Sequence, residues 1–152
     1  MNTQKLLIGT IVGAIYFFLI EWLIYGVLMK DMMVFPEGYM KEKPDMLWMI
    51  IGYLIFAGAF TWIYSKGVAN TTKMGEGMRY GIALGVLFGF GMNMVWFSLT
   101  NGNTLSTFLI AGVVSIVEYA IGGIIIAYAI GMPGSAGASN RGKDSGGGGG
   151  GV

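Results

Sequence analysis

Two carboxyls stand in stretches that otherwise avoid charge: Glu21 in "GAIYFFLIEWLIYGVLM" and Glu118 in "TFLIAGVVSIVEYAIGGIIIAYAI". A third polar side chain, Asn93, interrupts "MRYGIALGVLFGFGMNMVWFSL". A charged side chain in hydrocarbon costs a few kcal/mol, so such groups face inward and commonly mark proton or cation pathways. Tyr25 lies four residues beyond Glu21, Ser115 three before Glu118 and Tyr119 directly after it. With Asn93 they form the expected set of hydrogen-bond or proton-sharing partners for the two glutamates. The plainer reading is a neutral carboxyl that donates one structural hydrogen bond. Acid/base catalysis by paired carboxylates is conceivable, but no nucleophile, metal cluster or cofactor motif accompanies them. The expectation is a non-enzyme with no cofactor.

Other chemistry is sparse. The chain has no histidine and no cysteine, which removes the commonest metal ligand, the usual proton shuttle and all thiol chemistry. Met32, Met33, Met40, Met46 and Met49 cluster around "KDMMVFPEGYMKEKPD". Thioethers are soft copper(I) ligands, but irregular spacing favours flexible apolar side chains dipping into an interface. No metal site is expected.

The elements that must hold these residues follow from composition. Of 152 residues, 55% are hydrophobic and 11% charged, and the mean hydropathy is +0.67. A soluble domain carries about a quarter charged residues, so lipid is the expected solvent. Nine basic against eight acidic residues make no electrostatic case for a nucleic-acid partner. Four apolar segments occur, at Leu6–Met29, Leu47–Tyr64, Met78–Leu99 and Thr107–Ile130. Each has the length of a helix crossing a hydrocarbon core of about 30 Å. "LIGTIVGAIYFFLI" does not alternate, which excludes a β-barrel strand. The expectation is an all-α integral membrane four-helix bundle over residues 1–131. The first segment contains Glu21 and lacks a small-residue cleavage site after it, so it reads as a retained helix and not a signal peptide. At ~1.5 Å per residue, Glu21, Glu118 and Asn93 all fall in the outer half of the bilayer.

Basic residues set the orientation. Lys5, Lys66, Lys73, Arg79, Arg141 and Lys143 share one side, and Lys30, Lys41 and Lys43 the other. The positive-inside bias therefore places both termini in the cytoplasm. The tail from 132 to 152, "PGSAGASNRGKDSGGGGGGV" after Met132, is rich in glycine and serine and is expected to be a disordered coil, some of it a linker remnant. It has no G-K-[ST] phosphate-loop motif.

Glycine occurs at 77, 81, 85 and 89, one step of four residues each time. On a helix these positions form a groove without side chains, and in lipid such lines let helices approach closely. Gly9 and Gly13 repeat the device in the first segment, and Gly112, Ser115, Gly122 and Gly123 supply small residues in the fourth.

"GAIYFFLIEWLIYGVLM", "WIYSKG" and "GMRYGIALGVLFG" resemble the small four-helix bacterial membrane proteins grouped as the DUF1761 family, over residues 6–131. The shared features are an aromatic and glycine-bearing first helix ending in Tyr25-Gly26, and glycine-rich third and fourth helices. That family has no assigned activity, so the resemblance implies an architecture and a bacterial inner-membrane location without a mechanism. Glu21 stands where the family pattern has a small or apolar residue. Two functions are expected in order: a structural or accessory subunit, or homo-oligomer, packed through glycine-rich faces; then a proton-coupled transporter or channel using Glu21 and Glu118. The lipid bilayer is the partner common to both.

Overall fold

A computed structural model describes residues 3–33, 35, 37, 41, 43–67, 72–101 and 103–131. The tail from 132 to 152 and Met40 of the methionine group lie outside them. Most of the described residues are helical, with no strand among them. Four helices are long and apolar enough to cross a membrane: α1 Thr3–Leu28, α2 Met46–Gly67, α3 Lys73–Leu99 and α4 Leu105–Ile130. The expected all-α, four-span architecture is thus present, and an even number of spans returns the described ends to one side.

The helix ends obey local chemistry. α3 begins five residues before the apolar run does, because the Thr72 hydroxyl accepts from the Gly75 N–H at 3.1 Å and caps the first turn. Thr104 does the same for α4, accepting from the Thr107 N–H at 3.3 Å. α4 stops at Gly131, whose φ of +67° is left-handed backbone that glycine tolerates. Two stretches widen into π-helix: Ile24–Leu28 at the end of α1 and Gly85–Gly91 in the middle of α3.

The bundle is inverted relative to a soluble protein. Large apolar side chains point outward, among them Ile55 at 68% and Leu99 at 74% exposed. Water would not tolerate so continuous an apolar surface on a monomer, whereas lipid does. α4 is the central helix: it packs along α3 and against α1, while α2 lies mainly on α1. Phe17, fully buried on α1, meets the rings of Phe56 and Phe60 from α2 and Tyr119 from α4, at centroid distances of 4.9, 5.3 and 5.6 Å. Such edge and tilted pairs contribute about 0.5–1.5 kcal/mol each beyond their burial.

The glycine line of α3 lies directly on α4. A Cβ at Gly77 would stand 2.5 Å from the Gly123 carbonyl oxygen, and one at Gly85 2.6 Å from the Ile116 Cα. At Gly81 and Gly89 it would collide with the Tyr119 carbonyl and the Ser115 side chain. At Gly77, Gly81 and Gly85 these are backbone-to-backbone approaches that only hydrogen at Cα permits. A strict four-residue repeat drifts about 40° per step around a 3.6-residue helix. The wider π turn at Gly85–Gly91 rotates the line back, so Gly89 still faces α4. Gly9 meets Thr61 and Ile130, Gly13 meets Ala57 and Ile126, and Gly112 lies under the Phe90 ring. All these glycines are used within one chain. Association between copies would have to use another face.

Candidate functional site: a carboxyl layer inside the bundle

Glu118 projects from the central helix into the bundle and is 3% exposed. Its Oε1 is buried and has no hydrogen-bond partner among the described residues. Glu21, on α1, is partly buried, and the Tyr53 hydroxyl of α2 donates to its Oε2 at 2.6 Å. The two carboxyls lie within Coulombic reach of each other. Neither has a basic partner among the described residues; Arg79 pairs instead with Glu76, at 3.5 Å, near the start of α3.

Hydroxyls close the layer on three sides. Tyr16 donates to the backbone carbonyl of Glu118 at 2.9 Å, pinning α1 to α4 at the level of the carboxyl. Tyr25, in the π turn of α1, shares a hydrogen bond with Ser115 at 3.3 Å. Tyr119 faces the aromatic cluster and remains within electrostatic range of both glutamates and of Tyr25. Glu21, Glu118, Tyr25, Tyr119 and Ser115 are therefore brought together by α1 and α4, with Tyr53 added from α2. Asn93 makes no hydrogen bond to either glutamate. Its amide donates to the Gly89 carbonyl one turn back on its own helix, where it satisfies backbone within the π segment.

Tyr16 and Tyr53 escaped sequence reasoning because a tyrosine in an aromatic run reads as packing. The available signal was depth, since a tyrosine hydroxyl in mid-span needs a polar partner. Glu76 was also missed. Because α3 starts at Lys73, this residue belongs to the helix and is 4% exposed, beside Tyr64. There Thr61 Oγ1 and the Tyr64 hydroxyl are buried without hydrogen-bond partners among the described residues, and Tyr80 donates to the Phe60 carbonyl at 2.9 Å. The molecule thus has two internal polar levels, separated by the rings of Phe17, Phe56 and Phe60.

Chemically, the carboxyl layer can accept and release a proton or hold a cation. A buried carboxylate without a countercharge is unstable in an apolar setting, and both a proton and a cation relieve it. No known family profile, no curated protein and no solved structure matches the chain; the likeness to the DUF1761 family rests on its quoted motifs alone.

Proposed function

We propose that this multi-pass membrane protein is a small carrier that handles protons or monovalent cations through Glu118 and Glu21, with Tyr53, Tyr25, Ser115 and Tyr119 as the hydroxyl shell. The observation that carries this reading is the unpartnered Oε1 of Glu118 at the centre of the bundle. A carboxyl retained only for structure is expected to have its hydrogen bonds completed, because leaving one unmade costs about 1–3 kcal/mol. The basic-residue count supports a cytoplasmic location for both termini, and the family resemblance supports a bacterial inner membrane.

The test is proton flux. In liposomes with a trapped pH indicator, a potassium-diffusion potential should drive acidification through the wild-type protein. Glu118→Gln, which retains shape and hydrogen-bonding capacity, should lower the rate at least tenfold while the protein still folds. Equal rates in wild type, Glu118→Gln and empty liposomes would refute the proposal.

A second reading, an accessory subunit or homo-oligomer, is favoured by an apolar groove of about 330 Å³ between α1 and α2, bordered by Ile11, Ile15, Phe18, Ile50 and Leu54. Stoichiometric copurification of another protein from native membranes would support it over the carrier.

A further inference from the structure

The two ends of the bundle differ in charge. At one end α1 and α3 begin while α2 and α4 finish: Gly9 of α1 meets Thr61 of α2 and Ile130 of α4, and Lys73 of α3 meets Tyr128 of α4. Among the described residues this end carries Lys5, Lys66, Lys73 and Arg79. Its one described acid, Glu76, is buried inside the bundle. The surface there is therefore positive. The opposite end mixes Lys30, Lys41 and Lys43 with Asp31, Glu37 and Asp45, so its charges cancel. Two of the cations at the positive end are seated on aromatic rings. The Lys66 ammonium lies 5.6 Å from the centroid of the Trp62 ring, one turn back on α2, and the Lys73 ammonium 5.7 Å from that of Tyr128, in the last turn of α4. Both rings lie on the outer surface, Trp62 at 53% and Tyr128 at 58% exposed. Tryptophan and tyrosine at the ends of membrane-spanning helices sit at headgroup level, and a cation within about 6 Å of a ring is attracted by its quadrupole. The rings thus hold both ammonium groups at the depth of lipid phosphates. Ile63 and Met74, the next residues after Trp62 and Lys73, are exposed and apolar.

We infer that this end of the bundle binds anionic phospholipids, with headgroup phosphates lying against Lys66 and Lys73 and acyl chains against the apolar surface beside them. The inference goes beyond the carrier reading and does not depend on it. Charge and position select the occupant. A soluble anion would meet the ammonium groups but gain nothing from Ile63 and Met74. A zwitterionic lipid would bring an ammonium of its own, which the basic surface repels. An anionic lipid satisfies the cations and the apolar surface together, as basic residues at membrane level commonly allow.

The test counts retained lipids by native mass spectrometry. The full chain is released from mixed micelles that present equal amounts of phosphatidylglycerol and phosphatidylcholine with matched acyl chains. Phosphatidylglycerol should be preferred roughly twentyfold, about fivefold for each of the two lysines. Lys66→Gln and Lys73→Gln together should bring the ratio near parity, and each alone should lower it about fivefold. Lys66→Arg with Lys73→Arg, which keeps both charges, should retain the preference. Lys30→Gln with Lys43→Gln, at the opposite end, should leave it unchanged. Glycerol phosphate added at constant ionic strength should not displace the lipid. Equal retention of the two lipids by the wild type, or a preference that survives loss of Lys66 and Lys73, overturns the inference. A preference lost equally in the Lys30 and Lys43 variant would move the lipid away from this end, and displacement by glycerol phosphate would make the site one for a soluble anion; either result also overturns it.

Discussion

At the residue scale the decisive contrast lies between the two glutamates. Glu21 has a hydroxyl donor in Tyr53 at 2.6 Å, whereas Glu118 keeps an oxygen unpartnered. The first arrangement stabilises and the second leaves a group free to react. Removing the Tyr53 hydroxyl should therefore cost stability: Tyr53→Phe is expected to lose about 1 kcal/mol, in the range of hydrogen bonds measured within membranes. Chemical denaturation in detergent micelles measures it. Tyr128→Phe serves as the comparison, because Tyr128 is 58% exposed on α4, and it should be neutral. An equal loss in both variants would show that the Tyr53 bond contributes nothing. Glu118→Gln should leave stability close to wild type in the same experiment, since its Oε1 gives up no bond.

At the element scale the α3–α4 contact is set by glycine. Gly85→Leu would drive a side chain into the Ile116 backbone, 2.6 Å from the Cβ position, and neither helix can yield locally. A loss of at least about 2 kcal/mol is expected, the upper part of the range for overpacking. Gly52, on α2, has nothing within 4 Å of its Cβ position, so Gly52→Ala should gain roughly 0.5–1 kcal/mol from helix propensity alone. Thermal unfolding of both variants tests the pair, and a tolerated Gly85→Leu would place the glycine groove in lipid. Much of this level is legible in sequence. Four long apolar windows need only local composition, and a four-residue glycine spacing needs only helical geometry. What was hidden depends on other helices. The partner of the glycine line is α4, yet "GMRYGIALGVLFG" carries no mark of which helix it will meet. The π turn follows from fitting that line to α4 and has no composition signal. Tyr53 reaches Glu21 across 32 positions, and the Asn93 amide donates to the Gly89 carbonyl of its own helix. Glu76 was obscured by one residue, Thr72, whose cap extends α3 to include it.

At the scale of the whole molecule, two polar levels sit within an apolar exterior, with aromatic rings between them. The basic-residue asymmetry leads to the expectation that the carboxyl layer lies on the external side. Single-cysteine labelling in this cysteine-free chain checks that placement. A membrane-impermeant thiol reagent on intact cells should modify Lys41→Cys and spare Lys73→Cys until the membrane is opened; the reverse pattern would invert the molecule and place the carboxyls on the cytoplasmic side. Glu118 is proposed to exchange a proton inside the membrane, and infrared difference spectroscopy reads that exchange most directly. With the protein in lipid bilayers, a pH jump should change the C=O stretch of a protonated carboxylic acid, and Glu118→Gln should abolish that change. A carbonyl band that does not respond to pH, or one that persists unaltered in Glu118→Gln, would contradict the account.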